Sequence, residues 1–203
     1  MAGVSRYYVS DNNAGVSKGI LKNKLGFKNK KDLGAAETAL LSDTHTHFFE
    51  LLKKDKVKFD LSLLFSIHKH FFDPLYDWAG KVRTVNISKD NMFFAPVKYI
   101  DHALEDFNKL LKITLPKQSN NKDEVSQKLA IIHNEFNIIH PFREGNGRTI
   151  RLFLDLIAVN LGYTPIGWSK KPKSDYITAC IDGAKGEHEP MAKIIKKGLK
   201  SSR

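Results

Sequence analysis

Cysteine is almost absent from this sequence, with Cys180 as the single thiol in 203 residues. One cysteine excludes an internal disulfide and is consistent with a reducing compartment. Cys180 lies in the mostly apolar segment "YITACI", which predicts a small core residue rather than a nucleophile.

Long apolar runs are missing as well. No stretch approaches the roughly 20 consecutive apolar residues that a membrane span needs. The first residues, "MAGVSRYYVSDNNAG", lack the apolar segment of a secretory signal. These absences predict a cytoplasmic protein with no membrane partner.

Acidic residues are scarce, with 22 Asp and Glu against 33 Lys and Arg, and the net charge is +11. Such an excess raises the question of nucleic-acid binding, because Lys and Arg neutralise phosphates. The basic residues concentrate in segments 18–31, 169–173 and 193–203, without zinc-finger spacing or an aromatic RNA-binding signature. Solvated faces or an acidic partner explain the charge better than a nucleic acid does.

The remaining composition is that of a globular protein, with 41% hydrophobic and 27% charged residues. The length suits one domain with a sizeable core. Residues 1–33 are polar and interrupted by glycine, so we expect an amino-terminal arm with one short helical stretch near 18–25. Residues 34–200 are expected to form a single, mainly α domain.

Apolar residues at helical spacing predict seven helices in this domain. They cover 34–54, 60–73, a segment ending near Thr114, a segment beginning at Asp123, 150–161, 173–183 and 190–200. Segment 81–97, between the second and third helices, is rich in β-branched residues around a polar turn and predicts a β-hairpin.

Two of these helices stand out. The helix beginning at Asp123 has the clearest apolar stripe, formed by Val125, Leu129, Ile132, Phe136 and Ile139. Segment 150–161 is apolar on nearly every face, which is typical of a helix at the centre of a bundle. Gly162 follows it and is expected to end this helix as the C′ residue.

The segment "HPFREGNGRTIR", residues 140–151, lies between these two helices. Pro141 ends the first helix, and Gly145 and Gly147 permit backbone conformations and close approaches that other residues forbid. The first amides of the following helix have no partner within the helix and can bind anionic oxygens, so the turn favours a phosphate.

The side chains of this segment agree with a phosphate site. Arg148 and Arg151 share a helix face and supply forked donors for more than one phosphoryl group. Glu144 is compatible with phosphate if Mg²⁺ bridges the two. His140 is the one group with an unperturbed pKa near neutrality and is the natural general base. Together these residues predict phosphoryl or nucleotidyl transfer from a Mg²⁺ nucleotide.

Each residue also has a plainer interpretation. His140 could be a satisfied cap, the two arginines could pair with acidic neighbours, and the glycines could only shape a turn. Their conjunction within one turn at a helix start favours the functional interpretation.

The segment matches, without a departure, the signature of the Fic family, His-x-Phe-x-(Asp/Glu)-Gly-Asn-Gly-Arg-x-x-Arg. Segment 72–96, "FDPLYDWAGKVRTVNISKDNMFFAP", is similar to the family's Trp-Ala-Gly helix end and hairpin flap. The resemblance extends over about 34–198 and implies a Fic-type helical bundle with a small β-hairpin flap.

The resemblance implies a protein adenylyltransferase that uses ATP and Mg²⁺. His140 would deprotonate a target Ser, Thr or Tyr hydroxyl, and Glu144 would hold Mg²⁺. Asn146 and the amides of Gly145 and Gly147 would surround the phosphates. Arg148 would bind the β-phosphate and Arg151 the γ-phosphate. Phe142 would anchor the loop in the core.

The flap would bind an extended target segment by strand addition. Its implied target-binding residues are Ile87, Ser88, Lys89, Asp90, Asn91, Met92 and Phe93. Tyr176 is a further candidate, for the nucleobase pocket.

Two alternative functions stay open. Related Doc proteins replace the Gly-Asn-Gly segment and act as protein kinases, and the intact "GNGR" here argues for AMP transfer instead. The other alternative is an interaction module that binds a nucleotide without turnover.

Many Fic proteins carry an inhibitory helix with the pattern (Ser/Thr)-x-x-x-Glu-(Gly/Asn). Only Thr46 has a Glu four residues on, at Glu50, and Leu51 follows where Gly or Asn is expected. We therefore expect no built-in inhibitory helix and, by resemblance to the toxin–antitoxin branch, a small separate antitoxin-like inhibitory protein.

The histidine pairs in "THTH" (44–47) and "HKH" (68–70) raise the alternative of a metal site. On a helix, residues two apart project about 200° from one another, which argues against chelation of one ion. His133 lies beside the apolar stripe of its helix, where a hydrogen-bonding role is expected.

Overall fold

The structure is a computed structural model that describes residues 8–9, 16–17, 20–89, 92–168 and 173–202. In these ranges the chain forms α-helices and short strands. The helices are α1 (Lys30–Lys53), α2 (Leu61–Phe72), α3 (Ile100–Thr114), α4 (Lys122–Ile139), α5 (Asn146–Asn160), α6 (Lys173–Gly183) and α7 (Glu189–Gly198), and the strands are β1 (Tyr8–Val9), β2 (Val16–Ser17), β3 (Ile20–Leu21), β4 (Ile87–Lys89) and β5 (Met92–Phe93). The prediction of a mainly α fold is confirmed.

Side-chain caps define where several helices begin. The Asn29 side chain accepts a hydrogen bond from the Asp32 amide at the start of α1. Asp60 caps α2 as predicted, by accepting from the amides of Ser62 and Leu63. Asn121 and Glu124 form a capping box at the start of α4, which satisfies amides that the helix itself leaves unpaired.

The core lies around α4 and α5. The predicted stripe of α4 is buried along its whole length, and α5 buries Ile150, all residues from Leu152 to Ala158, and Thr149. α5 ends before Gly162, which has a φ of 84°, as its predicted closing role requires. Cys180 is buried in the same core, and burial raises the pKa of its thiol to about 11. No helix in the described ranges combines the length and apolar character needed to cross a membrane.

The predicted hairpin is present as β4 and β5, paired antiparallel with Ser88 opposite Phe93 and Lys89 opposite Met92. Its turn residues Asp90 and Asn91 lie outside the described residues. The other edge of β4 pairs with β1, with Tyr8 opposite Ser88. β4 is therefore the central strand of a small three-stranded sheet.

The prediction of a short helix near 18–25 is wrong. β2 and β3 form an antiparallel hairpin there, with Val16 opposite Leu21. Tertiary packing overrides the local helical preference, because Ile20 and Leu21 are buried in a second apolar cluster beside Phe71 and Phe72 of α2. The first helix, expected from residue 34, begins four residues earlier at Lys30, because Asn29 supplies its cap.

Candidate active site

A cavity of about 860 Å³ opens beside the turn between α4 and α5. Its walls come from α1, the flap, the motif turn, α5, the segment 165–168 and α6. Ligand pockets commonly have volumes of about 300–1,000 Å³, so this cavity is large enough for a small-molecule ligand. Of the predicted site residues, the cavity lining includes His140, Glu144, Gly145, Gly147, Arg148, Arg151, Tyr176, Lys89 and Met92.

The turn depends on two residues with left-handed backbone conformation. His140 has φ 51° and ψ 57° and ends α4, and Gly145 has φ 84° and precedes α5. A Cβ atom at Gly145 would lie 2.1 Å from a ring carbon of Phe72, so both the backbone angle and the space require glycine here. The motif turn therefore packs directly on α2.

The ring of His140 is oriented by a backbone hydrogen bond. Its Nδ1 lies 2.9 Å from the Asn137 carbonyl oxygen, which can only accept, so Nδ1 carries the hydrogen. Nε2 is consequently the ring nitrogen able to take up a proton. The ring stacks on Phe94 of the flap at 3.8 Å. Burial lowers the His140 pKa to about 3, so the imidazole is neutral near neutral pH.

The resemblance places Asn146 at the phosphates, and in the structure its side chain closes the motif turn. It is fully buried, its Oδ1 accepts from the Phe142 amide at 2.8 Å, and its Nδ2 donates to the Phe142 carbonyl at 2.8 Å. The side chain thus closes the motif turn on Phe142, which is itself buried and stacks on His68 at 3.7 Å. Any contribution of Asn146 to phosphate binding comes from its backbone amide.

Arg148 pairs with an acidic side chain that lies 111 residues earlier in the sequence. One of its guanidinium nitrogens lies 2.7 Å from Oε2 of Glu37 on α1, and the Glu37 side chain also accepts a hydrogen bond from the Tyr76 hydroxyl at 2.9 Å. The guanidinium lies over the rings of Phe71 and Phe72. The plainer interpretation of Arg148, an ion pair with an acidic neighbour, is realised, yet the residue still lines the cavity.

Arg151 is held by Tyr176 of α6. Its guanidinium donates to the Tyr176 hydroxyl at 3.2 Å and lies over the ring at 5.3 Å. The same hydroxyl is 2.8 Å from Nε2 of His133, which confirms a hydrogen-bonding role for that histidine. Within the described part of the chain, no carboxylate forms an ion pair with Arg151. Glu50, the acidic residue of the imperfect inhibitory pattern, instead pairs with Lys53 on the exposed side of α1.

Glu144 is the carboxylate of the motif turn. One of its oxygens accepts from the Gly145 amide at 3.0 Å and lies 3.7 Å from Arg148. Mg²⁺ in nucleotide sites is usually held by one or two carboxylates together with phosphate oxygens, and a single carboxylate at the mouth of α5 fits that donor set. Among the described residues, no group of three or more His, Cys, Asp or Glu is arranged to hold a metal by itself.

The flap residues divide between core, cavity and solvent. Ile87 is buried, Lys89 and Met92 line the cavity, and Phe93 is 84% exposed. Because β1 covers one edge of the sheet's central strand, the predicted strand addition is confined to the outer edge of β5 unless β1 leaves. None of the described strands pairs with that edge.

Sequence reasoning missed two buried residues that support the turn. Glu37 lies four residues before Leu41 and eight before His45, which also line the cavity. The available signal in the sequence was this helical spacing, which places the three residues on one face of α1. His68 accepts from the Gly80 amide at 2.8 Å through Nδ1, so its Nε2 donates to the Glu144 carbonyl at 3.0 Å. For His68 the sequence offered only its position on the apolar face of α2.

The arrangement is a helical domain in which a helix start with two arginines, a neutral buried histidine and a hairpin lie beside one cavity. Residues 58–158 match the model of the Fic/DOC family. The chain therefore carries a Fic/DOC family domain, and the resemblance noted in the sequence is confirmed.

Several known proteins are similar to this chain. Protein adenylyltransferase VbhT of Bartonella schoenbuchensis is 34% identical over 182 residues, which cover 89% of this chain and 37% of VbhT. Probable protein adenylyltransferase Fic of Escherichia coli is 28% identical over 61% of each chain. This chain thus spans less than two thirds of the length of either relative. The solved FIC domain of Bep8 from Bartonella sp. 1-1C has a TM-score of 0.76 at 25% identity, over 93% of this chain and 94% of that one.

Proposed function

We propose that this chain is a protein adenylyltransferase, which transfers AMP from ATP to a Ser, Thr or Tyr hydroxyl of a target protein. One observation carries the proposal. The neutral His140 lines the same cavity as the start of α5 with its two arginines, Arg148 and Arg151. The 34% identical relative VbhT is itself named a protein adenylyltransferase, which supports the same reaction.

In the proposed reaction the target hydroxyl oxygen attacks the α-phosphorus of ATP. The bond from this phosphorus to the oxygen that bridges to the β-phosphate breaks, and pyrophosphate leaves. Nε2 of His140 takes the hydroxyl proton, so the attacking oxygen gains nucleophilicity as the bond forms.

The phosphates bind at the amino terminus of α5 in this proposal. The amides of Asn146 and Gly147 donate to phosphate oxygens, and the helix dipole favours their charge. Arg148 binds the β-phosphate and Arg151 the γ-phosphate. Tyr176 keeps Arg151 in place, and its ring lies beside Trp168 in the part of the cavity that we assign to the nucleobase.

Glu144 is the residue that would hold Mg²⁺. The ion, when bound, neutralises phosphate charge and makes pyrophosphate a better leaving group. Engagement of the Glu144 carboxylate would also release the Gly145 amide, which now donates to it, for a phosphate oxygen.

The target segment is proposed to lie against the flap. The outer edge of β5 offers backbone groups for strand addition, and the exposed Phe93 ring offers an apolar contact beside them. A small antitoxin-like protein that places a carboxylate on Arg151 is the proposed form of regulation. The cytoplasmic location stays a prediction from the sequence.

The test uses the purified chain, Mg²⁺, a cell lysate as the source of targets, and ATP labelled at either the α- or the γ-phosphate. We expect protein to acquire the α label and His140→Ala to reduce that labelling by about 100-fold or more, since it removes the general base. His102→Ala is the matched control, because His102 is exposed on α3.

Each alternative function has a distinct outcome in this experiment. Transfer of the γ label alone would identify a kinase of the Doc type. Binding of ATP without transfer of either label, across several lysates, would identify a nucleotide-binding module and contradict the proposal.

A further inference from the structure

Arg83 is a buried cation between the flap and the end of α4. The residue is 3% exposed and lies four residues before β4. In the described part of the chain no carboxylate forms an ion pair with it. Burial lowers the Arg83 pKa to about 10, so the guanidinium still carries its charge near neutral pH.

Backbone carbonyls take the place of a carboxylate partner. Nε donates to the His140 carbonyl at 2.8 Å, and one terminal nitrogen donates to the Val85 carbonyl at 2.7 Å. The other terminal nitrogen donates to the Ala95 carbonyl and, at 3.4 Å, to the Ile139 carbonyl. One planar side chain thereby joins four carbonyl oxygens.

These carbonyls belong to two structural elements with different roles. Ile139 and His140 are the carboxyl end of α4, whose last carbonyls have no partner within the helix and favour a cation. Val85 and Ala95 lie at the two ends of the flap hairpin, one before β4 and one after β5. Two backbone bonds run beside the guanidinium, from the Arg83 amide to the Pro141 carbonyl and from the Ala95 amide to the Ile138 carbonyl.

The ring of His140 depends on both elements. Its Nδ1 is held by Asn137 of α4, and its face stacks on Phe94, the residue before Ala95. A shift of the flap ends relative to α4 would move Phe94 against the imidazole. It would also move the edge that we assign to the target relative to Nε2.

We propose that Arg83 is a positioning residue for AMP transfer, which fixes the flap and its bound target at a set distance from the His140 ring. The inference rests on the proposed function for its reaction. Its chemical basis is the guanidinium fork, because lysine carries a point charge that cannot serve carbonyls on both elements in one plane.

The first test compares Arg83→Lys with the wild type and with Lys81→Ala, an exposed control two residues away. We expect Arg83→Lys to bind Mg²⁺-ATP within about threefold of the wild-type Kd, because the phosphate site belongs to α5. The rate of α-label transfer to lysate proteins is expected to fall by at least tenfold. A purely structural role would lower folding, nucleotide affinity and rate together.

Chemical rescue covers the case in which substitution weakens folding. Arg83→Ala leaves a space shaped for a guanidinium, so guanidinium ion at low millimolar concentration should restore transfer, whereas methylammonium should not. Wild-type rates in Arg83→Lys, or equal restoration by both cations, would overturn the inference.

An NMR readout separates this inference from the proposed function. Imidazole ¹⁵N spectra should show His140 as the neutral Nδ1-H form in the wild type and a changed signal set in Arg83→Lys. If the wild type transfers no AMP, the proposed function fails. Unchanged His140 signals in Arg83→Lys would instead contradict the positioning role.

Discussion

Burial shifts the pKa values of two cavity residues, His140 and Asp155, in opposite directions. It lowers the pKa of the His140 imidazole to about 3 and raises the pKa of the Asp155 carboxyl to about 7. In both cases the low-dielectric surroundings disfavour the charged form. For His140 this gives the base form required by the proposed reaction. For Asp155 it places a titration close to neutral pH.

The Asp155 titration predicts a pH dependence of stability. Its folded-state pKa lies above the ordinary value of 3.8, so the folded protein binds the proton more tightly, and stability decreases as pH rises from about 4 through about 7. Asp155→Asn removes the ionisation, and the amide oxygen can still accept from the Ile166 amide and the Trp168 indole. We expect the stability advantage of the variant over the wild type to grow by about 2–3 kcal/mol between pH 5 and pH 8.

Urea unfolding at pH 5 and pH 8 measures this difference. Asp106→Asn is the control, since that carboxylate is exposed on α3. An Asp155→Asn stability difference that is the same at both pH values would refute the raised pKa.

Among the secondary-structure elements, α1 contributes more to the site than its sequence indicated. It was predicted as a core helix, and it lies outside the residues 58–158 that match the family. One of its faces nevertheless lines the cavity with Glu37, Thr38, Leu41 and His45. The buried Glu37 connects this helix to Tyr76 after α2 and to Arg148 on α5.

Glu37→Gln is therefore expected to destabilise the fold by about 1–3 kcal/mol. The substitution leaves Arg148 without its nearest anionic partner. The loss of folding free energy is smaller than for breaking a fully buried ion pair, because the Arg148 side chain is 20% exposed. Glu50→Gln on the exposed side of the same helix should change stability by less than about 0.5 kcal/mol. Chemical denaturation of the two variants measures both values, and equal effects would contradict the role assigned to Glu37.

For the molecule as a whole, the environment of Arg151 predicts how activity is controlled. Its described partner is the Tyr176 hydroxyl rather than a carboxylate. If the γ-phosphate binds there, it exchanges with this hydrogen bond, and among the residues that the structure describes no ion pair of Arg151 has to be broken.

We expect the purified 203-residue chain to transfer AMP without removal of any segment, and Arg151→Ala to reduce the transfer at limiting ATP by about tenfold or more. Labelling with α-labelled ATP before and after limited proteolysis measures this. Activity that arises only after a segment is cut away would demonstrate built-in inhibition.

Much of this architecture could be predicted because it depends on local sequence. The apolar repeat of α4, the Asp60 cap and the break at Pro141 act over a few residues, so the pattern itself contains the information. The site residues of the motif are likewise contiguous, from His140 to Arg151. The hairpin in the arm was missed because burial of Ile20 and Leu21 depends on α2, far away in the sequence.

The sequence by itself determined the helices, the flap and the chemistry of the motif turn, because these follow from side-chain periodicity and from residue types within twelve positions. Only the tertiary structure decided which side chains hold that turn in place. His68 bonds to Glu144 across 76 residues, Arg83 to His140 across 57, and Glu37 to Arg148 across 111. Such bonds have no period and no fixed spacing, since they depend on how helices pack once their apolar faces are buried.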